Sequence, residues 1–236
     1  MLSFGEDCML DGNALVKFLR ERGFSTLCHV NTAATALTFL KNGGLLSRKY
    51  VEEHPTTCFQ TSQDSDRLDR NFGIFNDIFF DAEDIWNHCG MKYCYYGPIT
   101  FYYDVKILSK FSNIYVSKEN PVHWNSGCLS DNCFVGIDEL KCSILNSSYS
   151  WPIANHIMLH NQEILNFGND LKKILLWCPD VNIAGYYKEN IIKVYNIFDE
   201  LCRSMNIPFG CRQMVNSKWS QVVDDRKVYK FYDVNI

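Results

Sequence analysis

The sequence lacks the features that mark membrane, secreted and strongly basic proteins. It has no run approaching the roughly 18 consecutive apolar residues of a membrane span, and its start, MLSFGEDCML, carries acids where a signal peptide is positively charged. Its 23 lysines and arginines are outnumbered by 27 aspartates and glutamates, so a strongly basic nucleic-acid coat is excluded. We therefore expect a soluble, cytoplasmic protein.

Several common catalytic and architectural motifs are also absent. The chain has no Gly-x-Ser-x-Gly, no Walker loop and no Gly-x-Gly-x-x-Gly, which removes the simplest hydrolase, NTPase and dinucleotide-binding interpretations. No stretch is rich enough in proline, glycine or serine to be a linker, and no repeat is visible. The pattern predicts one domain spanning residues 1–236.

Cysteine is abundant, but its spacing does not indicate a metal site. The eleven cysteines are odd in number in a chain long enough to fold without disulfides, so we expect reduced, buried thiols. The pairs at 89/94 (with His88 nearby) and 128/133 fit zinc spacing only loosely. His156 and His160 have ligand spacing only on a helix, and their segment resembles a strand. We predict no metal.

What the sequence does contain is a core-forming mixture of helical and strand patterns. With 47% hydrophobic and 14% aromatic residues it can bury a full core. Apolar periodicity and glycine stops predict helices over residues 11–22, 32–42 and 188–204. Aromatic and β-branched runs predict strands over 26–30, 99–105, 113–116 and 227–232, and a hairpin of 156–165 with 173–178. The fold class is α+β.

One segment is too polar for a core and too aromatic for a disordered tail. Residues 60–84 combine carboxylates, two arginines and four phenylalanines, mostly without helical or strand periodicity. The segment is either a surface loop anchored by its phenylalanines or a loop over a site, in which Arg67 or Arg70 meets an anionic ligand.

Three short motifs together resemble the DarT-like ADP-ribosyltransferases. Residues 29–47, HVNTAATALTFLKNGGLLS, are similar to that family's opening: a strand with histidine, a helix ending in glycine, and a leucine-serine exit. Residues 96–103, YGPITFYY, are similar to its aromatic strand, and residues 162–165, QEIL, to its catalytic glutamate strand. Asn31 departs from the pattern, because the family often has threonine there.

The resemblance implies an ADP-ribosyltransferase-like split mixed β-sheet with flanking helices that grips NAD in a cleft. Glu163 would stabilise the positive charge on the ribose as nicotinamide leaves, and Arg67 or Arg70 would hold the pyrophosphate or help to deprotonate the acceptor. The expected catalytic residues are Glu163, Arg67 and Arg70, and the expected NAD-binding residues are His29, Asn31, Leu46, Ser47, Tyr102 and Tyr103.

The resemblance further implies a toxin that modifies a base in single-stranded RNA or DNA, in phage defence, with a cognate antitoxin as partner. Tyr93, Tyr95 and Tyr96 would stack bases, and Lys106, Lys110 and Lys118 would contact phosphate; alternatively they are core tyrosines and solvated lysines. Two other functions stay open: transfer to a protein side chain, and a non-catalytic binding module with a degenerate NAD cleft.

Overall fold

Seven α-helices and nine β-strands form the regular structure in a computed structural model that describes residues 8–63, 65–87, 96–125, 128–145, 155–178, 188–213 and 230–234. The helices of these residues are α1 Gly12–Glu21, α2 Ala33–Asn42, α3 Arg48–Glu53, α4 Asp66–Asn71, α5 Leu129–Asn132, α6 Gly136–Leu145 and α7 Lys188–Ser204. The strands are β1 Thr26–Asn31, β2 Gly44–Leu46, β3 Ile78–Phe80, β4 Ile99–Asp104, β5 Ile114–Val116, β6 Ile157–Leu159, β7 Ile164–Asn166, β8 Leu171–Cys178 and β9 Phe209–Gln213.

The strands are divided among three sheets. A four-stranded sheet has the order β1-β4-β8-β9, in which β8 and β9 are parallel and the other neighbours antiparallel. A three-stranded sheet, β3-β6-β5, and a two-stranded sheet, β2-β7, are both antiparallel. The predicted α+β class with a split, mixed sheet is confirmed.

The first half of the fold follows closely from local signals. The side chain of Asp11 accepts a hydrogen bond from the Ala14 amide (2.8 Å), and Thr32 caps α2 in the same way at Thr35. Gly43 ends α2 with φ +67°, a left-handed conformation that costs glycine little. The chain then enters β2 directly, so the predicted strand, helix and glycine turn are confirmed.

Three predictions from the second half are wrong. Residues 156–165 form two short strands, β6 and β7, separated by a turn in which Asn161 has φ +53°. No hairpin forms with 173–178, because β7 pairs with β2, and β8 pairs with β4 and β9. At the C-terminus, residues 230–232 are helical rather than extended, and residues 227–229 lie outside the described part of the chain.

Residues 60–84 are more ordered than their lack of periodicity suggested. They contain α4 and β3, and Phe75 and Phe80 are buried. The aspartates at 69, 77 and 84 are buried as well, although carboxylates usually face water. The segment is therefore partly core.

A continuous apolar core joins both ends of the described chain. It includes residues from Leu10 to Val234, and a smaller cluster forms around Tyr115 and Trp124. No helix among the described residues is long and apolar enough to cross a bilayer.

Candidate functional site

A backbone hydrogen bond joins two of the motifs singled out in the sequence. In the β2-β7 pair, Leu46 lies opposite Ile164, and one step further the amide of Ser47 donates to the carbonyl of Glu163 at 2.8 Å. The Ser47 side chain caps α3 by accepting from the Tyr50 amide (3.1 Å) and donates to Asn76 Oδ1 (2.8 Å). The leucine-serine exit and the glutamate are therefore held side by side.

The Glu163 side chain is exposed and makes no hydrogen bond or ion pair with the residues that the structure describes. It lies immediately before β7, not inside a strand as predicted. The backbone of this residue is fixed while its carboxylate is available to a ligand.

His29 is partly buried, and its ring makes hydrogen bonds and aromatic contacts. Its Nδ1–H donates to the carbonyl of Phe79 (2.8 Å), and its Nε2 accepts from the side-chain Nδ2 of Asn31 at a longer 3.4 Å. The rings of Phe39, Phe80 and Phe101 surround it, with centroids 5.6, 6.1 and 6.4 Å away. Burial lowers the pKa of His29, which keeps the imidazole neutral.

Stacked aromatic rings connect the His29 cluster to the glutamate strand. Phe101 lies directly opposite His29 in the β1-β4 pair. Its ring stacks on Phe167, just after β7, at 5.7 Å, and contacts Phe39 of α2 at 5.9 Å. The three motifs of the sequence thus belong to one contact network.

The other predicted residues near His29 are buried supports. Asn31 is 6% exposed, and its side-chain oxygen accepts from the Thr32 amide at 3.1 Å. Leu46 and Ser47 are likewise buried, at 5% and 1% exposure. Their side chains help to build the wall of the site and leave little surface of their own for a ligand.

The structure distinguishes the two arginines that the sequence left open. Arg70 on α4 donates to both carboxylate oxygens of Glu52, at 2.6 and 2.9 Å, and its guanidinium lies over Phe75 at 3.6 Å. Arg67 is exposed and has no hydrogen-bond or ion-pair partner among the described residues. Of these two arginines, Arg67 is the one whose guanidinium has no partner in the described part of the chain.

Tyr102 and Tyr103 do not share a face of the sheet. Consecutive residues of a strand point to opposite sides, and Tyr103 shares the His29 side, where its ring contacts Phe80 at 5.5 Å. Tyr103 is fully buried, so it does not line an open cleft. The Tyr102 hydroxyl donates to Asp84 on the opposite side, in a groove of about 250 Å³. The two tyrosines therefore cannot line one nicotinamide pocket together.

Two polar residues at the site were not singled out from the sequence. Arg48 follows Ser47 and donates to the Thr61 carbonyl (3.0 Å) and to Asp66 (2.9 Å). Burial is the main cause of the lowered pKa of His29, and the positive charge of Arg48 lowers that pKa further. Asn76 accepts from the Ser47 hydroxyl. The Ser-Arg pair directly after a leucine exit was the available signal for Arg48; Asn76 had none.

The residues expected to contact nucleic acid are engaged elsewhere or lie outside the described part. Lys106 and Lys110 both contact the buried Asp170, at 3.5 and 2.5 Å, and Lys118 contacts Glu139 at 3.0 Å. Tyr96 packs against the core, while Tyr93 and Tyr95 lie outside the described residues.

The described cysteines and histidines that were considered for zinc do not form a metal-binding cluster. No cluster of three or more metal-ligating side chains occurs within the described ranges, and His88, Cys89 and Cys94 lie outside them. His156 and His160 instead contact Asp81 and Asp77, at 2.7 and 3.0 Å.

Comparison with known proteins yields structural neighbours only. No protein-family model matches the chain, and no curated protein matches it. The chain is similar to the solved structure of Thermus sp. 2.9 DarT in complex with NAD+, with a TM-score of 0.46 and 10% sequence identity over 80% of this chain and 96% of the other. It is also similar to Thermus sp. 2.9 DarT in complex with ADP-ribosylated ssDNA, with a TM-score of 0.49 and 9% identity over 80% of this chain and 95% of the other. The complex of the same protein with carba-NAD+ gives a TM-score of 0.45 and 11% identity over 83% of this chain and 98% of the other. Identities this low transfer no residue roles.

Proposed function

We propose that this protein is an NAD-dependent ADP-ribosyltransferase that transfers ADP-ribose from NAD to a base of single-stranded nucleic acid and releases nicotinamide. The observation that carries the proposal is the hydrogen bond between the Ser47 amide and the Glu163 carbonyl. It brings an exposed carboxylate beside the strand-helix-glycine segment that starts at His29, in the arrangement that the sequence resemblance implies.

The chemistry follows from the positive charge that develops on the ribose. As the bond between nicotinamide and ribose breaks, the ribose takes on oxocarbenium character, and a nearby carboxylate stabilises it. Glu163 supplies that carboxylate, because its side chain has no partner within the described ranges. A nitrogen of the nucleobase then bonds to the ribose carbon that nicotinamide has left, and the proton of that nitrogen passes to solvent or to a nearby proton acceptor.

The polar groups that the fold leaves free match the polar parts of NAD. A carboxylate accepts hydrogen bonds from ribose hydroxyls, and the uncommitted guanidinium of Arg67 suits a pyrophosphate. His29 is already bonded to Phe79, so its contribution to NAD binding is through the long contact of Nε2, which a ribose or amide group would have to take over from Asn31.

The test is to incubate the purified protein with NAD labelled in the adenylate phosphate, together with single-stranded DNA, RNA and a protein mixture. We expect label in one of the nucleic acids and stoichiometric nicotinamide release. Glu163→Gln should reduce both about 1,000-fold, as loss of a group that stabilises transition-state charge does. Glu189→Gln, at an exposed glutamate on α7, is the matched control and should retain full activity.

Each other outcome selects a different function. Label confined to polypeptide would support the protein-modifying transferase, and absence of both NAD binding and nicotinamide release would support the non-catalytic module. Full activity in Glu163→Gln would contradict the assignment of the carboxylate.

The toxin role and its cognate antitoxin are part of the same proposal. Expression of the wild-type chain in a bacterial host should arrest growth, whereas Glu163→Gln at equal protein level should not. Screening host-encoded open reading frames for rescue of the wild-type arrest would identify an antitoxin; growth arrest by Glu163→Gln would show that toxicity does not depend on transfer.

A further inference from the structure

The position of the Glu163 carboxylate must come from its backbone. Its side chain has no partner in the described part of the chain, so no side-chain contact orients it. A displacement of about 1 Å of a reacting group can reduce a rate about 100-fold. The groups that fix the backbone on either side of Glu163 are therefore the ones that set its reactivity.

On the C-terminal side the anchor is the β2-β7 pair. The Ser47 amide holds the Glu163 carbonyl, and Ile164 continues the pairing with Leu46. The side chain of Gln162 also spans Glu163, with its Nε2–H₂ donating to the Ile164 carbonyl at 2.6 Å.

On the N-terminal side the anchor is the buried carboxylate of Asp77. It accepts from Nδ1–H of His160 (3.1 Å) and from the backbone amide of Asn161 (3.0 Å). The side-chain amide nitrogen of Asn161 also lies 2.9 Å from His160 Nε2, so the side chain and the backbone of Asn161 are both held. Asn161 has φ +53°, and these bonds hold it in that conformation.

The two anchors are bonded to neighbouring residues, Asn76 and Asp77, just before β3. Asn76 accepts from the Ser47 hydroxyl, and Asp77 holds the His160-Asn161 turn. The Asp77 side chain has no exposed surface, and burial raises its pKa while the bond from His160 opposes the rise. Burial of a polar group at this depth is costly unless each oxygen is bonded, as it is here.

We propose that Asp77, acting through His160 and Asn161, is a positioning residue that fixes the Glu163 carboxylate against the β2 edge. This inference rests on the proposed transferase function. It assigns to the segment 60–84 a role in the site that differs from the arginine contact expected from its sequence.

The chain contains a matched control for this pair. β3 and β6 are antiparallel with Ile78 opposite Leu159, so Asp77 meets His160 at one end. At the other end Asp81 meets His156 through a hydrogen bond of 2.7 Å. Both histidines are buried, at 7% and 6% exposure for His156 and His160, but only His160 adjoins the turn that leads to Glu163.

The experiment compares His160→Phe with His156→Phe, which each remove the imidazole nitrogens and keep a ring. We expect His160→Phe to reduce kcat for nicotinamide release about 100-fold while the Kd for NAD changes less than about threefold. His156→Phe should reduce kcat less than about threefold, even where its melting temperature falls. Equal losses of kcat in the two variants would overturn the proposal.

A milder variant guards against failure of His160→Phe to fold. Asp77→Asn keeps the shape of the side chain and an acceptor for the Asn161 amide, but loses the charge-assisted bond from His160. We expect kcat about tenfold lower, equivalent to about 1.4 kcal/mol in the barrier, with NAD affinity unchanged. A wild-type kcat in folded Asp77→Asn would contradict the proposal.

Hydrogen exchange of the Ser47 amide separates this inference from the proposed function, because it needs no activity. That amide is protected by its bond to the Glu163 carbonyl. It should exchange about tenfold faster in Asp77→Asn, while the Cys28 amide, bonded to the Asp81 carbonyl at 2.8 Å, keeps its rate. If wild-type protein is inactive but this change occurs, the transferase proposal fails and the anchoring stands; unchanged exchange at Ser47 overturns the anchoring itself.

Discussion

His29 and Glu163 were singled out together in the sequence, but the fold treats them in opposite ways. Both nitrogens of His29 are bonded and three phenylalanine rings surround it, while the Glu163 side chain is exposed and unpartnered in the described structure. The comparison teaches that one polar residue of the site is used to build it and the other is left to act. The same contrast separates Arg70, which is paired with Glu52, from Arg67, which has no partner in the described structure.

The largest effect that we expect on stability belongs to His29. His29→Ala should lower the free energy of unfolding by about 3 kcal/mol, because it leaves a cavity among aromatic rings and an unpaired Phe79 carbonyl. Urea denaturation measures it, with His123→Ala, at an exposed histidine, as control. Glu163→Gln should leave the unfolding free energy within about 0.5 kcal/mol of wild type. Equal stability of His29→Ala and wild type would remove the contrast.

The difference in unfolding free energy between wild type and His29→Ala should depend on pH. Burial lowers the pKa of His29 in the folded state, so below about pH 6.5 the unfolded chain takes up a proton that the folded chain does not. Wild-type stability contributed by His29 is therefore lost as pH falls. The gap between wild type and His29→Ala should be smaller at pH 5 than at pH 7.5.

Asp69 has a buried carboxylate, in contrast to the exposed carboxylate of Glu163. Burial raises the pKa of Asp69 from 3.8 to about 6, against the opposing bond from Ser65. The folded chain then holds a proton that the unfolded chain loses between those values, so stability falls as pH rises through this window. Asp69→Asn should be more stable than wild type by about 3 kcal/mol at pH 7 and nearly equal to it at pH 3.5.

Thermal or urea unfolding at the two pH values checks the Asp69 prediction. Asp138→Asn, at a side chain that is 91% exposed, is the control and should change nothing. A stabilisation by Asp69→Asn that is the same at both pH values would argue against titration as its cause.

The arginine pair tests whether a free side chain marks the ligand. Arg67→Ala should raise the Kd for NAD about tenfold, the loss of one charge-assisted contact, at an unchanged melting temperature. Arg70→Ala should leave the Kd unchanged and lower the melting temperature slightly, because its contacts are to Glu52 and Phe75. Calorimetric titration with NAD measures both, and the reverse result would exchange their roles.

The smallest expected difference is between the two tyrosines. Tyr102→Phe removes a donor to the buried Asp84 and should cost about 1 kcal/mol of unfolding free energy. The Tyr103 hydroxyl is buried without a hydrogen-bond partner among the described residues, so Tyr103→Phe should be neutral within about 0.5 kcal/mol or stabilising. Neither should alter nicotinamide release; a loss in Tyr102→Phe alone would place the site on the opposite face of the sheet.

Local signals accounted for the elements around His29. The cap at Thr32, the apolar face of α2 and the left-handed Gly43 are all encoded within a few residues, so strand, helix and turn were predictable. The hairpin predicted between 156–165 and 173–178 does not form. The local pattern could not show this, because strand partners are chosen by burial against distant segments. The same reason explains why Asp69, Asp77 and Asp84 were not recognised as buried.

By itself the sequence determined the α+β class and the helices α1, α2 and α7, and it predicted a short set of candidate site residues. Tertiary structure alone decided which of those residues are free to act, because a hydrogen-bond donor or acceptor is available only if no distant group has satisfied it. Glu52 and Asp84 occupy Arg70 and Tyr102, whereas Arg67 and Glu163 have no partner in the described structure.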